Sequence, residues 1–191
     1  MKVYHFLKDD MTSSYGNEPA WKVGEKRTIK GKINLCSRGY HSSPSWYDAL
    51  QYAPGSMACI VEVSKPVEQK NDKQVSHSRK LITAKDASRV LRLFACDCAE
   101  RALKVAKVTD EHSWNEVKVS RDYANGKATD EELYVVWYAA RAAARAARAA
   151  ARAARAAARA AARDAEIRWQ KRRLNKLMGQ LFKEAHNVYK G

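Results

Sequence analysis

Between residues 141 and 163 every position is alanine or arginine, with Arg141, Arg145, Arg148, Arg152, Arg155, Arg159 and Arg163 separated by three or four residues. A period of about 3.5 lies close to the 3.6 residues of an α-helical turn, so the guanidinium groups fall on one slowly drifting stripe. Guanidinium is planar, always charged and suited to phosphate or carboxylate. A second basic run, Arg168, Lys171, Arg172 and Arg173, follows around Trp169. These eleven cations are the candidate binding residues. The stripe has three uses: a nucleic-acid surface, a surface for an acidic protein partner, or a solvated face whose alanines pack on neighbouring helices. In the last case Asp86, Asp97, Glu100, Asp110, Glu111 and Glu116 supply part of the neutralisation.

The other residues that could do chemistry lie in the first 80. His41 sits in the run Gly39-Tyr40-His41-Ser42-Ser43-Pro44, a loop expected between strand and helix, where functional groups concentrate. Glu62, on the most apolar strand, could approach it. A histidine that fixes a loop by hydrogen bonding is the commoner use of such a residue. Cys96 and Cys98 are one residue apart, too tight for an ordinary disulfide and off the spacing of zinc knuckles. With Cys36 and Cys59 they are expected to be reduced, mostly buried thiols, so neither a metal site nor a cofactor is expected. Trp21, Trp46, Tyr47 and Trp114 could form a stacking platform, but their spacing suits core positions better.

The elements that must position these groups fall into two parts, giving an α+β chain: a small α+β domain over residues 1–80 and a helical domain over residues 81–191 that carries the Ala/Arg helix. Val3–Leu7, Arg27–Ile29, Ile33–Cys36 and Ala58–Val63 read as strands, the last apolar enough to be central. A helix is expected at Ser45–Tyr52, and a polar loop at Lys65–Ser78. Further on, helical periodicity predicts a helix over 84–107 and a second one capped by Thr109 or Asp110 and ended by Asn125-Gly126. Thr129 with Glu132 forms a capping box that opens a third. The Ala/Arg segment alone spans about 33 Å as a helix. A rod continuing to the C-terminus is expected to bend or break near residues 163–167 or at Gly179.

Charge is unevenly placed. The net charge is +15, and residues 129–191, with 14 basic and 6 acidic groups, hold +8 of it. Such a balance favours polyanionic partners and solubility. No apolar run approaches the roughly 20 residues of a membrane span, and no signal segment opens the chain, so a cytoplasmic location without membrane contact is expected.

Leu93-Phe94-Ala95-Cys96-Asp97-Cys98-Ala99-Glu100-Arg101-Ala102-Leu103, with Tyr123–Ala128 and the alanine-rich helix, resembles the alanine-rich immunity protein family of bacteria and phages over roughly residues 84–165. That resemblance implies protection against a toxin, although arginine stands here where the family mixes Asp and Trp among its alanines. Lys32–Pro44 and Asp48-Ala49-Leu50 resemble an uncharacterised domain of tailed-phage proteins spanning residues 1–80. The order of His5, the Gly-Tyr-His-Ser-Ser loop, a helix with Ala49 and Tyr52, and Ile60–Val63 is loosely similar to small ADP-ribosyltransferases. That likeness implies an enzyme using His5, His41 and Glu62.

Together these features predict a phage-type accessory protein that binds rather than catalyses. It would engage a host or phage macromolecule, with an anti-defence or immunity role, through its basic helical surface. The expected partner is an acidic protein or nucleic acid, with self-assembly through the alanine face as a further possibility and the host cytoplasm as the location. The alternatives are a nucleic-acid-binding protein using the arginine stripe and an ADP-ribosyltransferase-like enzyme in the N-terminal domain.

Overall fold

Alternation of apolar and polar residues builds the first sheet. Val3, Leu7, Cys59, Val61, Val63 and Leu81 are all buried and join Trp21 and Tyr40 in one cluster. The computed structural model describes residues 1–14, 18–134 and 159–188, with side chains over 163–183 of the last segment. Its strands are β1 (Lys2–Leu7), β2 (Lys26–Thr28), β3 (Tyr40–Ser42), β4 (Met57–Val63), β5 (Glu68–Gln69), β6 (Gln74–Ser76) and β7 (Ser78–Asp86). One antiparallel sheet has the order β1-β4-β7-β2 and a second the order β3-β6-β5. The expectation that β4 is central holds. A bridge between Tyr4 and Ser43 links the end of β3 to β1.

α1 (Trp46–Leu50) opens at Ser45, whose Oγ accepts from the Asp48 N–H at 3.2 Å and donates to Asp48 Oδ2 at 2.5 Å. Trp46 packs against Tyr4, Phe6 and Phe182. α2 (Ser88–Val105) and α3 (Glu111–Ala124) follow, α3 capped by Asp110 as expected. The Thr129–Glu132 capping box forms reciprocally, at 2.8 and 3.2 Å, and residues 130–134 are helical. α4 (Arg159–Val188) completes the described elements.

Two compact units result. One comprises Met1–Ser88 and the chain from Leu174, and the other Arg89–Arg173. The fold is α+β. Within the first unit, Lys85 Nζ donates to the Leu181 carbonyl at 2.6 Å.

Several expectations are corrected. Ile33–Cys36 is a tight turn, not a strand, because the Asn34 carbonyl accepts from the N–H groups of both Ser37 and Arg38. The supposed loop at Arg38–Pro44 contains β3, and the supposed loop at Lys65–Ser78 contains β5 and β6. These short polar strands owe their extended backbone to pairing with one another. The first long helix begins at Ser88, since β7 keeps pairing with β4 as far as Asp86. α4 passes through both 163–167 and Gly179 without interruption.

Candidate functional site

The first unit holds a cavity of about 520 Å³, within the usual range for small-molecule sites. Its wall is assembled from distant parts of the sequence: Tyr4 and His5 of β1, Glu18, the turn and strand from Cys36 to Ser43, Ala49 of α1, Tyr52, Lys73, and Arg79 of β7. Gly39 permits the wall to close. Its φ is +129°, and a Cβ there would collide with the Val75 side chain and meet Ile33 Cβ at 3.2 Å.

Arg79 sets the electrostatics. It follows the same in-out parity as buried Leu81, which places the cation on the inner side of the strand at 4% exposure. Its guanidinium lies 4.3 Å from the Trp21 ring centre and 5.0 Å from that of Tyr40. Nη1 donates to the His41 carbonyl at 3.4 Å, and Arg79 makes no ion pair among the described residues. Burial lowers its pKa to about 10, which leaves it a cation at neutral pH. The neighbouring Cys59 thiol is pushed up to about 12 by burial and stays neutral. Trp21 carries Arg27 at 4.1 Å as well, but Arg27 is committed to Glu25 at 2.7 Å and Glu18 at 3.4 Å. Glu18 also accepts from the Tyr40 phenol at 3.0 Å, and burial, followed by this contact, raises Tyr40 to about 12.

The two histidines expected to act together do line the same cavity. His5 is partly buried, and its pKa lies well below the ordinary value because of desolvation, then Arg79, then His41, so it is a neutral imidazole. His41 is used structurally: its Nε2 accepts the Cys36 N–H at 2.9 Å, and the ring also hydrogen-bonds the Gly39 backbone. Burial, Arg79 and Lys73 hold its pKa down against that second bond. Glu62 does not join them. It is exposed on β4, opposite Lys2 and Lys80, and lies outside the cavity wall. The catalytic set of His5, His41 and Glu62 is therefore not assembled.

At the same cavity Cys36 is exposed and Lys73 half-buried, Lys73 Nζ sits 4.6 Å over the Tyr52 ring, and the Tyr52 phenol donates to Asp72. Trp21 and Trp46 are buried core residues, as their spacing suggested.

Of the basic candidates, Arg141, Arg145, Arg148, Arg152 and Arg155 lie outside the described residues, and the side chain of Arg159 does too. Arg163, Arg168 and Arg172 are exposed on α4. Arg173 is tied to Asp97 at 2.6 Å, Asp97 also receives Arg121 at 2.8 Å, and Arg101 binds Glu166 at 2.6 Å and covers Trp169. Lys171 is half-buried. Sequence reasoning missed Arg79, Cys36, Lys73 and Glu18. For Arg79 a signal existed: an arginine on the apolar parity of a strand.

The fold is an α+β domain with a cavity walled by basic and aromatic side chains. Residues 1–93 match the family described as a domain of unknown function, DUF7666. The description carries neither a phage origin nor an immunity role. No curated protein and no solved structure matches the chain. Among the described residues, no cluster of metal-ligating side chains occurs, and no helix is long and apolar enough to cross a membrane.

Proposed function

We propose that the N-terminal domain binds a small organic anion in this cavity, with Arg79 as the group that pairs with its charge. The observation that carries this reading is a guanidinium at 4% exposure that lines a cavity and makes no salt bridge among the described residues, with Glu18 acting on it only from beyond salt-bridge distance. Burying a cation is costly unless it is paired. The Trp21 and Tyr40 rings offset part of that cost through cation–π contact. Of its five N–H donors, one is used on the His41 carbonyl, so an incoming anion finds a planar fork already oriented. Neutral His5 adds a hydrogen-bonding group without adding charge.

The test is tryptophan emission, since Trp21 stacks on Arg79, during titration of the full chain with inorganic phosphate, succinate and ADP-ribose. At least one is expected to give a saturable change that weakens about tenfold to a hundredfold in Arg79→Met, the value of a charge-assisted hydrogen bond. Equal responses in both proteins would refute the reading. ADP-ribose as the preferred anion would favour the ADP-ribosyltransferase-like alternative, with a carboxylate other than Glu62.

A second reading, engagement of a host or phage macromolecule in an anti-defence or immunity role, is supported by the exposure of Arg163, Arg168 and Arg172 on one helix. Fluorescence anisotropy with duplex DNA, single-stranded DNA and RNA tests its nucleic-acid form. A log-log salt slope of about −2 to −4 is expected, reduced when the three arginines become glutamine.

A further inference from the structure

The cavity wall is backed by a run of aromatic rings that ends far beyond residue 93, where the family match stops. Tyr4 and Ala49 line the cavity. Trp46, three residues before Ala49 on α1, is buried, and its ring centre lies 4.4 Å from that of Tyr4. Trp46 also meets Phe6 edge-on at 5.8 Å and stacks on Phe182 of α4 at 5.2 Å, with 25° between the planes. Pairs of this kind contribute beyond the area they bury. The Tyr4 N–H donates to the Ser43 carbonyl at 3.0 Å and the Ser43 N–H donates back at 2.9 Å, which ties a third wall residue to the same backbone.

The C-terminal part of α4, which belongs to the first unit, holds Phe182 in that place. Leu174, Leu177 and Met178 are buried, and with Leu181 they recur at three- and four-residue intervals, one apolar stripe of a helix. From β7, Lys85 Nζ donates to the Leu181 carbonyl at 2.6 Å and lies 5.5 Å from the centre of the Phe182 ring. A hydrogen bond from a charged donor is among the stronger ones. Lys85 and Arg79 stand on the same strand. The strand that brings the cation to the cavity therefore also fixes the helix whose ring backs Tyr4.

We propose that Phe182 is a positioning residue for the cavity: acting through Trp46, it fixes the wall of Tyr4, Ser43 and Ala49, so that anion binding and the seating of the C-terminal part of α4 favour one another. The proposal rests on the anion-binding reading above. Neither Phe182 nor Trp46 lines the cavity, so their effect is on the wall and not on the anion directly. A wall held from behind is ordered before the ligand arrives, which spares the binding step that ordering. Without the Phe182 ring, Trp46 loses the partner on that side, and Tyr4 and α1 gain freedom that a ligand must remove. The coupling is reciprocal: the factor by which the seated helix tightens the anion is the factor by which the anion tightens the helix.

Two measurements on the full chain test it, both with succinate, inorganic phosphate and ADP-ribose as probes. In calorimetric titration, Phe182→Ala is expected to weaken anion binding about fivefold to tenfold, within the usual range of coupling between sites. Phe182→Tyr, which keeps the ring, should restore it. Asp97→Ala, which loosens the helices without touching these rings, should leave it unchanged. In hydrogen exchange of the wild type, a readout independent of how any variant folds, saturating anion should slow exchange over residues 174–182 and 46–50 several-fold while residues 111–124 keep their rate. Unchanged affinity in Phe182→Ala, an equal loss in Phe182→Tyr or Asp97→Ala, or no slowing over 174–182 would overturn the proposal. If anions still bind through Arg79 in that case, the failure belongs to Phe182 alone. If none of the three binds the wild type, the anion-binding reading fails and this proposal with it.

Discussion

Arg79, buried, and His5, partly buried, line one cavity, and both resist carrying charge there. For Arg79 the shift leaves a cation at neutral pH, but for His5 it produces a neutral ring. The sign of the resulting pH dependence follows from linkage. His5 and His41 have folded pKa values below 6.5, so as pH falls through that value the unfolded chain takes up protons that the folded chain refuses. Stability contributed by the neutral rings is present above the unfolded value of 6.5 and is lost as pH falls below it. The urea midpoint should therefore decline below that pH, and His5→Gln should flatten the decline. An unchanged pH profile in the variant would refute the assignment. Gly39 offers a second check at this scale. Gly39→Ala forces a Cβ into Val75 at φ +129°, and a loss of about 1–3 kcal/mol is expected in urea unfolding, with weaker anion binding alongside.

At the scale of elements, Asp97 on α2 joins three helices by accepting from Arg121 on α3 and Arg173 on α4. Asp97 is nearly buried, whereas both arginines are about a third exposed, which discounts the pairs below the value of fully enclosed ones. Asp97→Ala should cost about 1–3 kcal/mol, measured by the urea transition followed by far-ultraviolet circular dichroism. Arg173 was a candidate contact residue in the sequence, and its commitment to Asp97 shows why spacing alone is a poor guide to availability. Elements with strong local signals were legible: β1 and β4 from apolar content, α1 from Ser45, α3 from Asp110, the following helix from the Thr129–Glu132 box. β3, β5 and β6 were not, because residues such as Glu68, Gln69 and Gln74 carry little strand preference and are extended only by their partners. The cavity was half legible for the same reason. His5 and His41 stood in suggestive contexts, whereas Arg79, Glu18 and Lys73 reach it from segments that nothing local connects.

The first unit holds a buried cation that makes no salt bridge among the described residues, whereas several carboxylates of the second unit pair with arginines. Asp97, Glu100 and Glu166 each engage an arginine in the second unit. The net charge of +15 remains, and nonspecific attraction to anions is to be expected from it at low salt. Binding in the cavity should differ from that background by surviving salt, since an enclosed pair is screened much less than an exposed one. The most direct measurement is therefore calorimetric titration with succinate, phosphate and ADP-ribose at about 150 mM salt, comparing the wild type, Arg79→Met and Lys80→Met. Lys80 is exposed beside Arg79 in β7, so its variant removes the same unit of charge without touching the cavity. Saturable binding that persists in Lys80→Met and fails in Arg79→Met is the predicted result. Binding that falls equally in both variants, or that is absent for all three anions in the wild type, would contradict the account.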